Sequence, residues 1–305
     1  MVFNYVSWRI LSMIDINNLP TITIGCPIAN RAYLIDRFLD AIYNLEYPKE
    51  KIKLFFLINN CNDGTDSTIK KFRIRNEKQY LAINIETYKM KFKADKRVAG
   101  YRNEIYTRLA ELRNYMKFKI DTDYFLSLDS DIMIQSNTLI ELLNTQKDII
   151  ASVINNDHIL RPYSQYPNIR TNLLIDSPKG ITHYLDFPLD SVVEVDYTGA
   201  VYLLSKAVCE NKNIKYEFDV QGEDIPFSYN ARKEGYKLYA HTGLWQYHIM
   251  CEYQNYCIEN KCQNPCVFYG GNKIYRYKYH DNETYPNLLK CPHLVEGETS
   301  LLKNQ

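Results

Sequence analysis

This sequence has no run that approaches the ~18 consecutive apolar residues of a membrane span. It has no charge excess either: 37 Lys and Arg against 36 Asp and Glu leave a net charge of +1. A chain-wide field for nucleic acid is therefore excluded, and any site for a polyanion has to be local. The first residues, Met1 to Ile14, contain a single basic residue, Arg9, and no small-residue cleavage site, so they do not read as a secretory signal. No G-x-x-x-x-G-K-[ST] loop occurs, which removes the usual ATP-cradling design. The late cysteines lack the C-x2-C pairs of common zinc sites, and neither an internal repeat nor a low-complexity linker is present.

What is present is ordinary for a globular enzyme. Hydrophobic residues make up 46% and charged residues 24% of 305. That length permits one large domain or two smaller ones at roughly 100–200 residues each. Tyr is abundant at 27, together with Ile, Asn and Lys. Of the eight Cys, Cys26, Cys61 and Cys209 sit in apolar contexts as buried thiols do, and Cys251, Cys257, Cys262, Cys266 and Cys291 lie late. Without a leader a disulfide framework is not the default. The expected compartment is reducing and cytoplasmic, with no transmembrane segment. The stripe Val2, Val6, Ile10 and Met13 predicts an N-terminal helix, packed on the domain or in peripheral contact with a membrane.

Strand-like and helix-like runs alternate through the first two-thirds. Thr21 to Cys26 is short and β-branched and reads as a strand ended by Pro27. Ile35, Phe38, Leu39 and Ile42 recur at helical spacing. Lys53 to Ile58 is a continuous apolar run, the mark of a strand buried on both faces. A weaker strand is expected at Ile83 to Thr87 and a helix over Val98 to Met116, with Ile105, Leu109, Leu112 and Met116 as its apolar face. Strands follow at Tyr124 to Leu128 and Asp148 to Ile154. This order predicts an α/β fold with a mostly parallel sheet and helices on both faces, which binds ligands beyond the carboxyl ends of its strands. Residues 155–195 read as cleft-lining loops and short strands. Val195 to Leu204 and Lys237 to His241 are strand-like, and Ile225 to Lys233 is helical. One continuous domain over 20–250 is expected, with an N-terminal helix or extension (1–19) and a Cys- and Tyr-rich C-terminal extension (251–305).

Two constellations carry chemistry. The strand Tyr124 to Leu128 delivers Asp129-Ser130-Asp131. Two carboxylates that close repel unless a positive group lies between them, and a hard divalent cation, Mn²⁺ or Mg²⁺, fits with positions left for diphosphate oxygens. A turn or cap ahead of a helix near Ser136 would need no metal. A dehalogenase-type phosphatase also places D-x-D after a strand, but Met133 stands where Thr or Val is usual there. The second constellation is Glu223-Asp224 at the start of a helix, where the helix dipole favours acidic residues. A carboxylate so placed either caps the helix or deprotonates an acceptor hydroxyl. His248 is a candidate third metal ligand through a neutral imidazole.

The motif order resembles that of family 2 glycosyltransferases and their GT-A relatives. Thr23-Ile24-Gly25-Cys26-Pro27-Ile28-Ala29-Asn30-Arg31 looks like their opening strand and loop, and Asn59 to Asp66 like the second-strand loop, with Asn59 where an acidic residue is common. Arg97, Gly100, Arg102 and Asn103 resemble the helix start before D-x-D. Asp196 to Ala200 resembles the acceptor-side loop, and Glu223-Asp224 the catalytic pair, with Ala231 to Tyr236 the stretch after it. The wording Leu128-Asp129-Ser130-Asp131-Ile132 is similar to Anp1-type mannosyltransferases. The resemblance covers residues 20–250. It implies a GT-A-type, Rossmann-like domain that moves a sugar from a UDP- or GDP-sugar donor to a hydroxyl on protein, glycan or lipid-linked sugar. It also implies donor contacts from Pro27, Asn30, Arg31, Asn59, Asp63, Arg97, Arg102, Asn103, Asp129 and Ser130, and metal ligation by Asp129, Asp131 and His248. Catalysis falls to Asp224 with Glu223, inverting the anomeric centre. The alternatives are an inactive nucleotide-sugar-binding protein and a retaining enzyme.

Overall fold

The computed structural model describes residues 18–89, 101–154, 156 and 171–249, and the backbone of 267–269 and 273–275. The side chains of Tyr101 and Arg102 lie outside that description, as do Arg97, the Val2–Met13 stripe and the five late cysteines. The strands are β1 (Ile22–Ile28), β2 (Ile52–Ile58), β3 (Ala82–Thr87), β4 (Tyr124–Leu128), β5 (Ile132–Met133), β6 (Ile149–Ile154), β7 (Leu174–Ser177), β8 (Gly180–His183), β9 (Val192–Val195), β10 (Val201–Ser205) and β11 (Leu238–His248), followed by a late hairpin, β12 (Val267–Tyr269) and β13 (Lys273–Tyr275). The helices are α1 (Ile35–Tyr43), α2 (Thr65–Asn76), α3 (Tyr101–Lys117), α4 (Thr138–Asn144), α5 (Lys206–Glu210) and α6 (Asp224–Lys233).

Nine strands form one sheet in the order β3-β2-β1-β4-β10-β6-β11-β5, with β9 also on β11. β3, β2, β1 and β4 are mutually parallel. β10 runs against both β4 and β6, and β11 is parallel to β6. The sheet is therefore mostly parallel and helix-flanked, the GT-A-type form expected. Its continuous apolar strands are explained by cover on both faces. On one side α1 (Ile35, Phe38, Leu39, Ile42), Ile69 of α2 and α4 (Leu139, Leu142) close a core with Ile24, Phe56 and Leu126. On the other, α3 (Leu112, Met116), Val208 of α5 and α6 (Phe227, Ala231) pack on Phe55, Phe125 and Tyr202.

Three expectations need correction. Pro27 does not end β1, which continues to Ile28. The Asn59 amide donates to the Ile28 carbonyl, so Ile28 faces β2 and Pro27, one residue back, faces β4. Pairing with β4 has already stopped at Gly25–Ser127, so the missing proline N–H breaks no ladder bond. The buried face of α3 is Ala110, Leu112, Arg113, Met116 and Lys117, while Ile105 and Leu109 are only half-buried. Finally, β11 does not stop at His241 but runs on to His248, with an irregularity in its pairing to β6 between His241 and Trp245.

The Phe125 ring of the adjacent strand β4 can lie across β1 only because residue 25 has no side chain. A Cβ on Gly25 would stand 2.2 Å from Cε2 of the fully buried Phe125. Gly25→Ala should cost about 1–3 kcal/mol through overpacking. Urea unfolding would read this, and adding Phe125→Leu should recover part of the loss.

Candidate active site

The carboxyl ends of β1, β2 and β4 meet the amino end of antiparallel β10, since Val201 pairs with Leu128. Asp129 begins directly after β4, and its amide donates to the Ala200 carbonyl. Ala200 has φ +68°, a left-handed conformation that costs a non-glycine residue energy and is held only where the surroundings dictate it. The two-residue strand β5 then pairs with the end of β11, Ile132 opposite His248, and the Ile249 amide donates to the Asp131 carbonyl. That register, rather than proximity in sequence, sets His248 Nε2 3.7 Å from Asp131 Oδ1.

Arg113 organises the centre. It is 1% exposed and spends its guanidinium on three partners. Nε donates to Glu223 Oε1 at 2.8 Å, Nη1 to Ser127 Oγ at 2.8 Å and Nη2 to Asp129 Oδ1 at 2.5 Å. A planar fork can satisfy separate acceptors in this way; an ammonium would not. Burial raises the Asp129 carboxyl above its usual range, Arg113 pulling against it and Asp131 and Glu223 reinforcing it. Glu223, 4% exposed, is turned inward onto Arg113. Asp224, its side chain 21% exposed, is the member of the pair that borders the cleft. Burial pushes the Asp224 carboxyl up to about 7; Arg113 opposes this, Glu223 and Asp129 add to it, and a hydrogen bond from Tyr202 lowers it.

Arg31 reaches Asp131 Oδ2 through Nη2 at 3.0 Å. Burial works against its charge, but Asp131, Tyr33 and Asp129 together outweigh it and raise its pKa. Asn30 (φ +50°) accepts from the Asn62 amide, joining the loops after β1 and β2. Asp63 accepts from the Ala32 amide and from Thr65, bonds that outweigh partial burial and hold it below the usual carboxylate range. Pro27 and Asn59 stand at the same carboxyl edge, and Asn59 Oδ1 accepts from Arg108 Nη2 at 3.2 Å. Ser130 is buried beside the two aspartates. Asn103 is exposed in the first turn of α3, ten residues or ~15 Å along the helix from Arg113. It is not brought to the carboxylates.

Sequence reasoning missed Arg113 and Arg108. The signal for Arg113 was its spacing: four residues after Leu109 and three before Met116, it falls on the buried stripe of an amphipathic helix.

A divalent cation suits part of this set. Asp131 Oδ1 and His248 Nε2 face each other at a separation two ligands of one ion at ~2.1 Å can span. His248 Nδ1 is buried with no hydrogen-bond partner, so no second bond fixes the ring against Nε2 ligation. Among the described residues no three His, Cys, Asp or Glu side chains converge on one point. Among the same residues no helix is long and apolar enough to cross a membrane.

Comparison with known proteins adds a family. The family model described as Anp1 matches residues 12–222. Among curated proteins, the chain is 25% identical over 292 residues to procollagen-lysine,2-oxoglutarate 5-dioxygenase 1 of Gallus gallus, covering 90% of this chain and 36% of that protein. It is 28% identical over 244 residues to procollagen-lysine,2-oxoglutarate 5-dioxygenase 2 of Homo sapiens (75% and 29%). It is also 21% identical over 254 residues to a glycosyltransferase 25 family member of Anopheles gambiae (76% and 41%). The chain thus spans between 29% and 41% of the length of these relatives. Among solved structures, a mannosyltransferase from Pyrobaculum calidifontis in complex with GDP-Man and Mn²⁺ aligns at a TM-score of 0.49 and 14% identity, covering 82% of this chain and 67% of that one.

Proposed function

This chain belongs to the Anp1 family of glycosyltransferases, and on that premise we propose that it moves a sugar from a UDP- or GDP-sugar to a hydroxyl acceptor, with a divalent metal, Asp131 and Asp224 at its centre. The observation that carries the proposal is the bridge made by Arg113. It bonds Asp129, two residues before Asp131, on one side and Glu223, the neighbour of Asp224, on the other, which supports a metal-binding and a proton-accepting role for two carboxylates at one edge of the sheet. Residues 20–250 form the catalytic domain in this reading.

Asp131 with His248 would hold Mn²⁺ or Mg²⁺, while Asp129, whose Oδ1 is taken by Arg113, would stand beside them. Bound there, the ion would neutralise charge on the departing diphosphate. Arg31 lies beside Asp131 and is placed to bond phosphate oxygens. Asn30, Asn59 and Asp63 shape the loops after β1 and β2, where a nucleotide would rest on a switch-point sheet. Asp224 takes the acceptor proton, which places attack opposite the leaving group and inverts the anomeric carbon. Glu223 anchors Arg113 and stays out of the cleft. For the acceptor, curated relatives include enzymes whose names have them act on procollagen lysine; a hydroxylated protein side chain is therefore the acceptor class we favour. The free thiols Cys26, Cys61 and Cys209 suit a reducing, cytoplasmic setting.

A panel of UDP- and GDP-sugars with Mn²⁺, scored by mass spectrometry against hydroxylysine peptides and simple glycosides, tests the function. Absence of transfer or donor hydrolysis across the panel would count against it. The pH profile tests the base. kcat/KM should rise as Asp224 ionises near pH 7. Stability should move the other way. The folded carboxyl holds its proton more tightly than the unfolded one, at about 7 against 3.8, so stability falls as pH rises between those values. Asp224→Asn should remove both trends; an unchanged acidic limb in that variant would reject Asp224 as the base.

A further inference from the structure

Helix α2 turns an apolar side to the core and a charged side to solvent. Ile69 is fully buried and Phe72 packs against the core, so that side lies on the sheet. The opposite side carries Ser67, Lys70, Lys71 and Ile74 at helical spacing, with Lys78 one turn on, just past the helix end. All five side chains are exposed. Ile74, at 76%, is the most exposed large hydrophobic residue among those described. It stands at the centre of this outward strip, facing away from every apolar neighbour in the core.

The strip is cationic. Over residues 66–78, five basic residues (Lys70, Lys71, Arg73, Arg75 and Lys78) stand against two acidic ones (Asp66 and Glu77), a local charge of +3 in a chain whose total is +1. Lys70 pairs with Asp66 at 2.9 Å and Arg73 with Glu77 at 3.4 Å, each across one helical turn. Lys71, Arg75 and Lys78 have no ion pair among the described residues. The neighbouring helix α1 exposes Asp36 and Asp40, so the cationic strip is one helix wide. A nucleic acid laid on it would pair phosphates with the lysines and leave Ile74 wet. A lipid surface satisfies both features, with anionic headgroups over the cations and the acyl boundary against Ile74.

We propose that the outward side of α2 is a docking surface for membranes that carry anionic lipids, with Lys71, Arg75 and Lys78 on the headgroups and Ile74 inserted between them. The contact is reversible. Each cation near such a surface strengthens binding by about fivefold, and salt screens the attraction. Because α2 packs on a face of the sheet, a membrane bound there lies along that face. The carboxyl edge, with Asp129 and Asp131, stays open at its side. α2 begins at Thr65, whose hydroxyl accepts from the Arg31 amide at 2.8 Å, so docking holds the loops after β1 and β2 beside the lipid surface and leaves them open to a soluble acceptor. None of the strip's residues takes part in the proposed sugar transfer.

Co-sedimentation of the full chain with vesicles tests this. The protein should bind vesicles of mixed phosphatidylcholine and phosphatidylserine at low ionic strength, leave pure phosphatidylcholine vesicles, and come off as salt is raised. Lys71→Gln with Lys78→Gln should weaken partition by about 10- to 30-fold, and Ile74→Gln by about fivefold. Gln is a good helix former and these side chains have no place in the core, so circular dichroism should not change. Lys212→Gln with Lys215→Gln, exposed residues between α5 and α6 on the other face of the sheet, makes the same change in charge and should bind as the wild type does. No binding to the phosphatidylserine vesicles would overturn the proposal, as would equal losses in the two lysine pairs or wild-type partition in Ile74→Gln. Binding of a duplex oligonucleotide, read by anisotropy and unaffected by Ile74→Gln, together with failure to bind vesicles, would assign the strip to nucleic acid instead.

Discussion

Replacing Asp131 with Asn should reduce sugar transfer by about a thousandfold or more, a barrier increase of about 4 kcal/mol, while the protein stays folded. The side chain is 16% exposed and pairs with Arg31, 30% exposed; the amide oxygen of Asn can still accept from that guanidinium, so the loss should stay within about 1.5–3 kcal/mol, that of a hydrogen bond to a charged group. The substitution keeps the shape and removes the charge that would draw a hard cation to the proposed site. Nothing else among the described residues replaces it. Arg113 engages Asp129, and the imidazole of His248 brings no negative charge. Mn²⁺-dependent nucleotide binding, followed by titration calorimetry, should fall with the activity, and circular dichroism should report an unchanged fold. Wild-type turnover in this variant would remove Asp131 from the mechanism.

Arg113→Met should act on the opposite property and unfold or nearly unfold the protein. Removing one partner of a buried ionic cluster costs about 3–5 kcal/mol, a large share of the ~5–15 kcal/mol by which domains are stable. The reason is what stays behind: the inward-turned Glu223 would lose its guanidinium partner, and Ser127 would lose its donor. Arg113→Lys should recover the charge without the three-way geometry, giving an intermediate loss. Pairing Arg113→Met with Glu223→Gln should return part of the stability and none of the activity. Urea midpoints for the four proteins separate these outcomes; equal midpoints for wild type and Arg113→Met would show that the cluster contributes no net stability.

The parts of the fold that sequence reasoning captured are those where one physical signal dominates. β2 is apolar along its length because both faces are covered, and α1 shows its buried face at helical spacing. Asp129-Ser130-Asp131 was legible because a buried strand delivers it to the sheet edge. Asp224 was legible through helix-start chemistry. Arg113 was only half legible: its spacing between Leu109 and Met116 puts it on the buried stripe, but nothing local points to the carboxylates it meets, which come from positions 129 and 223. Tyr202 was hidden for a similar reason, as one tyrosine among 27 whose hydroxyl partner, Asp224, comes from another element. The strand register that sets His248 opposite Ile132 depends on an irregularity in β11, which follows no local pattern.

Arg113 and Glu223 are 110 residues apart, and β11, which closes the sheet and ends at His248, forms only from residues 238–248. A ribosome adds about 5–20 residues per second. For several seconds after α3 has emerged, the nascent chain carries an arginine destined for the interior with none of its distant partners yet made. The cluster is completed late: Glu223 reaches Arg113 only after 110 further residues, and the His248 contact to Asp131 arrives with β11, so a chain ending before residue 238 would keep Arg113, Asp129, Asp131 and Asp224 and lack that last contact.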